Sequence, residues 1–483
     1  MKTRAAWGGL AVCLFLFDTT AQAAAPATQL SFKTSDPRLA AAFEWARSQA
    51  LAYAFHGDPV GDWYEAALPG RRAFCMRDTA HQAMGAHMLG LAGSTHNMLY
   101  KFAENISESK DWCSYWEINR DNRPAPVDYL NDAHFWYNLP ANFDVLDACY
   151  RMYVWTGDKT YLTDPVFLNF YRRTVHEYVD RWKLGARQIM TRPRIMNFRD
   201  RAGRFQKSRG IPSYDESDPG FVVAIDQLAA QYAGYLAYAR FERLRGNSRE
   251  AEEFARAREI KSLVNGKWWD KTTSSYYTRV NLDHRLNGHG LNAALLYYGV
   301  AEDGAKSASV VDALLKTIDN GKPIGIEGQS HFPEILYREG KAEAAYNQLL
   351  DLTREGKNRR EYPEVSYAII GAIATGLMGL DLEPGIRTLP ALTAATRWAE
   401  LDQIPAGAND VSVRHDGVRK TAVTNDAGPS LRWRACFPGS YPALSVDGKI
   451  VVATAGAKNI SCAAIDVGAG ATRTAQVPAT ARR

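Results

Sequence analysis

The 483-residue sequence predicts a mainly α fold class, an (α/α)6 toroid of six helical hairpins followed by a small C-terminal β-sandwich. Three observations predict it. Between Asp36 and Leu382 apolar residues recur at helical spacing in one stretch after another. Short turns carrying a small residue join those stretches in pairs, as in Tyr337-Arg-Glu-Gly-Lys-Ala-Glu-Ala-Ala-Tyr346, which is how antiparallel neighbours are connected. After the 384–390 segment the composition turns to Val, Thr, Ala and Gly in short alternating runs, the pattern of strands.

In chain order, residues 1–23 read as a cleaved signal peptide. Lys2 and Arg4 precede an apolar run from Ala5 to Phe17, and Ala21-Gln22-Ala23 offers small residues to a signal peptidase. The run is too short to span a bilayer, which needs about 20 residues. Maturation near Ala24 and a periplasmic or secreted location follow. A helical catalytic domain is expected over 24–388, with helices over 38–55, 79–91, 97–107, 142–156, 165–184, 222–244, 249–263, 290–300, 307–318, 332–339, 341–354 and 365–380. The connections 56–78, 108–141, 185–221, 268–289, 319–331 and 355–364 are read as loops, and loops on a rigid scaffold carry function. Strands are expected at 410–415, 430–435, 449–454 and 461–466 within a sandwich over 389–477, before a tail over 478–483.

Beyond the signal peptide five cysteines remain: Cys75, Cys113, Cys149, Cys436 and Cys462. The last two stand alone in the C-terminal segment on neighbouring candidate strands, so they are the expected disulfide. No C-x-x-C pair marks a structural zinc site. A net charge of +5 from 58 basic and 53 acidic residues is a mixed surface and gives no reason to expect a nucleic-acid partner. The 12 Trp and 24 Tyr suit sugar, whose apolar faces stack on rings while hydroxyls take hydrogen bonds.

The run Arg71-Arg72-Ala73-Phe74-Cys75-Met76-Arg77-Asp78-Thr79-Ala80-His81-Gln82 resembles the Arg-Asp loop opening the second hairpin of six-hairpin glycosidases. That loop is similar in bacterial α-L-rhamnosidases and exo-mannosidases. Ile326-Glu327-Gly328-Gln329-Ser330-His331 through Leu380 resembles the closing hairpins of the same superfamily, where a carboxylate loop and a Gly-Leu-x-Gly helix precede a β-sandwich. Ala73 and Phe74 stand where rhamnosidases place a further acid. The resemblance implies an exo-acting, inverting glycoside hydrolase with its general base in the loop before the last helix.

Such hydrolysis needs two carboxyl groups, one protonated as acid and one ionised as base. Asp78, beside Arg77 at a helix start, and Glu361 are the expected pair facing one another across the site, with Glu364 and Glu216 as further catalytic candidates. Expected substrate contacts are Arg77, His81, Gln82, Glu327 and His331, with Trp63, Tyr64, Trp112, Trp116, Glu117, Tyr129 and Trp136 in two aromatic loops. The four tryptophans are expected to surround one cleft. Asp78, Glu361 and Glu364 could instead serve as helix caps. The acids of Tyr214-Asp215-Glu216-Ser217-Asp218 could instead cradle Ca²⁺; otherwise no metal or cofactor is expected. The absence of G-x-S-x-G, H-E-x-x-H and a phosphate loop argues against esterase, metalloprotease and kinase. Two further functions fit the residues. A polysaccharide lyase would draw a base and cations from Arg72, Arg77, His81 and Tyr129, and a non-catalytic sugar-binding protein would need only rings and hydroxyl partners.

Overall fold

The computed structural model describes residues 30–193, 209–216, 220–321, 324–382 and 385–479. The expected signal peptide lies outside them. Helices α1 (Pro37–Ala52), α2 (Met76–Met88), α3 (Ala92–Glu104), α4 (Ala141–Thr156) and α5 (Thr160–Thr163) come first. Next, α6 (Pro165–Arg173) continues through a π turn into α7 (Val179–Trp182). Then come α8 (Ile225–Leu244), α9 (Glu250–Gly266), α10 (Ala294–Tyr297) and α11 (Ala305–Asp319). The last are α12 (Ile326–Ser330), α13 (Phe332–Arg338), α14 (Ala342–Thr353) and α15 (Pro363–Gly371). Local chemistry sets the boundaries. Asp36 and Asp164 accept the amides of Arg38 and Val166, each ahead of a proline in the first turn, and Gly157 closes α4 in the left-handed region.

Packing separates two classes of helix. α2 packs on α4, α4 on α8, α8 on α10, α10 on α13, α13 on α15, and α15 returns to α2. Helices α2 and α15 are buried on nearly every face, as an inner position requires. α3, α9 and α14 pack outside them, on α2, α8 and α13 respectively, and α1 lies against both α14 and α15. Helices α2 and α15 approach closely: a Cβ on Gly85 would stand 2.0 Å from the carbonyl oxygen of Tyr367.

The C-terminal part forms two sheets. One runs in the order 31–34, 398–406, 409–416, 420–427, 472–476, 443–446, 449–452; the other runs 386–388, 431–438, 460–467, 454–456. Cys436 and Cys462 are register partners on antiparallel strands, with a Cα separation of 4.1 Å, and are bridged as expected. His415 Nε2 donates to the Met378 carbonyl (3.0 Å) and His87 Nε2 to that of Pro405 (3.0 Å), tying sheets to helices.

Two expectations need correction. Strand 31–34 belongs to the C-terminal sheet, pairing Ser31 with Asp402, so a boundary at residue 388 does not separate helices from sheets. The expected loops contain short strands: 54–58 with 61–64, 73–75 with 117–119, 129–131 with 134–135, and 137–138 with 209–211. Backbone pairing satisfies these polar groups, and segments of two to five residues are too short to show a period. Among the described residues no helix is long and apolar enough to cross a membrane.

Candidate active site

Five carboxyl groups occupy first turns of five helices: Asp78 in α2, Asp144 in α4, Asp226 in α8, Glu327 in α12 and Glu364 in α15. A helix N-terminus carries partial positive charge and unpaired amides, which favour an acid there. Asp226 and Glu327 reach a cavity of about 270 Å³, whose walls include Arg77, Tyr214, Asn292, Tyr297, Tyr298 and His331. A pocket of about 10 Å³ adjoins it, sharing Arg77, Tyr297, Tyr298 and His331 and adding His81, Asp144 and Arg151. That volume suits one water molecule.

The acids differ in environment. Asp226 Oδ2 accepts from the Ser213 hydroxyl (2.9 Å) and the Tyr214 amide (2.7 Å), and burial pushes its pKa up to about 7. Asp144 accepts from the Tyr298 hydroxyl (2.6 Å) and is pushed to about 8, again by burial. Asp78 accepts from the Cys75 thiol (2.8 Å) and the Tyr362 hydroxyl (3.3 Å), with Arg77 at 3.4 Å. Burial, then the nearby Glu364 charge, raise it to about 6. Glu364 meets His81 Nδ1 at 2.6 Å, and burial raises its pKa. The rings of His81 and His331 stack with centroids 3.5 Å apart, and burial holds them neutral, with values near 4 and 3. Glu327 is ion-paired with Arg359 at 2.7 Å, and the Arg77 guanidinium lies over the Tyr214 ring at 5.2 Å. Among the described residues, His81, His331 and Glu364 form a group that could hold a metal ion.

Of the residues expected from sequence, Arg77, Glu327 and His331 line the cavity, and His81 lines the adjoining pocket. Asp78 and Glu364 are buried, Asp78 against Arg77 and Glu364 against His81. Glu361 is corrected. Its side chain is exposed and its backbone carbonyl accepts the Tyr53 hydroxyl; from this part of the chain it is Tyr362 and Glu364 that meet Asp78. The reason is positional: Pro363 starts α15, so Glu364 lies in its first turn while Glu361 stays in the preceding loop. Glu216 is exposed, two residues past the cavity-lining Tyr214. Ser217 and Asp218 of the Ca²⁺ alternative lie outside the described residues.

The aromatic loops are also corrected: none of their rings lines this cavity. Trp63 stacks on Phe55 (4.7 Å) and donates to Asp58 (2.8 Å); buried Tyr64 pairs with Thr95 (3.1 Å). Trp116 packs edge-on to Tyr137, Trp136 donates to Asn138 (2.9 Å), and Trp112 lies under the Arg173 guanidinium (4.3 Å). Glu117 binds Arg71 at 2.6 Å, Tyr129 donates to Asp132 at 2.5 Å, and buried Gln82 donates to the Glu65 carbonyl at 3.5 Å. Paired through short strands, these loops close the core around the inner helices. Sequence reasoning missed Asp226, Asp144, Tyr297 and Tyr298. The available signal was an acid directly after the apolar run Phe221–Ile225.

No family model matches the sequence, and no curated protein matches it. Solved structures do. An α-L-rhamnosidase from Dictyoglumus thermophilum superposes with a TM-score of 0.62 at 14% identity, covering 93% of this chain and 50% of that one. A Streptomyces avermitilis α-L-rhamnosidase complexed with L-rhamnose gives 0.59 at 15% identity, over 94% of this chain and 42% of that one. A putative kojibiose phosphorylase from human microbiome gives 0.55 at 10%, over 90% and 63%. This chain thus spans half or less of the rhamnosidases' length, and at these identities the likeness is one of fold. In fold, this chain is similar to these α-L-rhamnosidases and to the kojibiose phosphorylase.

Proposed function

We propose that this protein is a carbohydrate-active enzyme, an exo-acting, inverting glycoside hydrolase that holds one terminal sugar in the central cavity. The observation that carries the reading is the presence of two carboxyl groups, Asp226 and Glu327, on one cavity of about 270 Å³ walled by tyrosine rings. That is slightly below the usual range for drug-sized ligands and favours a single sugar ring over a long chain. Tyr214 and Tyr298 offer stacking faces; Arg77 and Asn292 offer hydroxyl partners, and His331 closes the wall. Asp226, with its pKa near 7, is substantially protonated at neutral pH and donates to the leaving oxygen. Glu327, paired with Arg359, takes the proton of an attacking water. The circuit of inner-helix contacts supports an (α/α)6 toroid with this cavity at its centre. The Ala21-Gln22-Ala23 site and the Cys436–Cys462 bridge support maturation near Ala24 and a periplasmic or secreted location.

Purified protein incubated with a panel of oligosaccharides tests the proposal, with released monosaccharide and absorbance near 235 nm followed together. Release of one terminal sugar of inverted anomeric configuration, lost in Asp226→Asn and Glu327→Gln, is expected. Unsaturated product absorbing at 235 nm would establish a lyase instead, and binding without turnover across the panel would leave a sugar-binding protein.

A further inference from the structure

His81 in the second turn of α2, His331 between α12 and α13, and Glu364 at the start of α15 each bring one ligand-type atom within 4.8 Å of the others. Several features make this more than a chance meeting of polar groups. Glu364 is fully buried, and its carboxyl is held between His81 and the Asp78 carboxyl. His331 Nδ1 donates to the Glu327 carbonyl at 2.9 Å. Such a bond from the second ring nitrogen is the usual support of a metal-bound imidazole, and it leaves Nε2 with its lone pair. His81 offers Nδ1 to Glu364 Oε1 at 2.6 Å.

We propose that His81, His331 and Glu364 bind one divalent transition-metal ion of the zinc class. Two imidazoles and a carboxylate are a ligand set zinc uses with its fourth position open, whereas Ca²⁺ takes oxygen ligands at a higher number. The ion takes the place of the proton between His81 and Glu364; His81 ligates through Nδ1 and carries its hydrogen on Nε2. The stacked His331 ring turns to aim Nε2 at the same point. His331 also lines the cavity, so an ion held by these residues would lie beside it, where a water or a sugar hydroxyl could complete its shell.

Metal binding itself is the readout, so the outcome is independent of whether a glycoside is ever hydrolysed. The full chain is stripped with a chelator, dialysed, and titrated with Zn²⁺ by calorimetry, with bound metal counted by mass spectrometry and Co²⁺ substitution followed by visible absorption. One ion per chain is expected, with Co²⁺ bands of a low-coordinate nitrogen–oxygen site and no comparable uptake of Ca²⁺ or Mg²⁺. His331→Ala, at a half-buried position, is expected to weaken Zn²⁺ binding by about 10²-fold or more while circular dichroism stays unchanged; Glu364→Gln repeats the test at the buried ligand. A folded wild-type chain that takes up no stoichiometric Zn²⁺ or Co²⁺ overturns the proposal. So does zinc bound equally well by His331→Ala, or preference for Ca²⁺.

Discussion

Replacing Asp226 by Asn should trade activity for stability, and the structure gives the size of both effects. Asp226 is 7% exposed and its pKa rises from 3.8 to about 7, chiefly through burial and secondarily through Asp215; Arg77, Tyr214 and Tyr298 share its cavity. A carboxyl whose folded pKa is raised imposes no penalty below its unfolded value near 4. The penalty grows as pH rises from about 4 to 7 and is complete above 7. A shift of roughly three units corresponds to about 4 kcal/mol at pH 8. Asn escapes that cost but matches less well the three donors of Ser213, Tyr214 and Gln227, so a net gain of about 1–3 kcal/mol is expected. Thermal melts of both proteins at pH 4 and pH 8 measure it: no advantage for the variant at pH 4, a higher Tm at pH 8. Turnover should fall by about 10²-fold or more, because the amide cannot donate the proton. The wild-type rate should decline as pH rises through about 7, and that limb should vanish from the variant's residual rate. An Asn variant with undiminished turnover refutes the acid assignment. A variant no more stable at pH 8 than at pH 4, relative to wild type, refutes the electrostatic argument.

Three more outcomes are expected. Glu327→Gln should lower kcat by about 10²-fold or more with little change in KM, whereas Arg359→Met should cost less, since it touches the base and not the substrate; steady-state kinetics separates them. Gly85→Ala should destabilise the fold by about 1–3 kcal/mol in urea melts, because its methyl group would meet the Tyr367 carbonyl at 2.0 Å. Reducing or deleting the Cys436–Cys462 bridge, which spans 26 positions, should cost about 3 kcal/mol of stability, read as a lowered Tm with reductant.

The helices were legible in the sequence because their apolar stripes are long enough to show a period: 342–353 and 305–319 fall within a few residues of the expected spans. Alternating Val411, Val413 and His415 likewise announced a strand with one buried face. The site was only partly legible. Arg77, Glu327 and His331 are found on the cavity, but Asp226 follows the apolar run 221–225 and reads locally as a helix-start acid. What distinguishes it is the convergence of helix ends, which depends on contacts between distant segments. The aromatic loops misled for a related reason: an edge-on pair such as Trp116 and Tyr137 is fixed by tertiary packing, and composition does not separate it from a stacking platform for sugar.

The strand 31–34 has a consequence for how the chain is made. It is synthesised before every described helix, yet its hydrogen-bonding partner lies in 398–406, and Ser31 meets Asp402 across 371 positions. Loop closure over such a span has to await nearly the whole chain, so the N-terminal edge stays unpaired until the last fifth of the polypeptide has emerged. A fragment cut after the helices would carry this strand with its ladder unsatisfied, an open edge that invites pairing with another copy. Removing the first strand would in turn bare residues 398–406 on one side. The helical and sheet-forming parts are therefore not separable by a single cut, and fragments that begin after residue 35 or end before residue 406 should aggregate more readily than the intact chain.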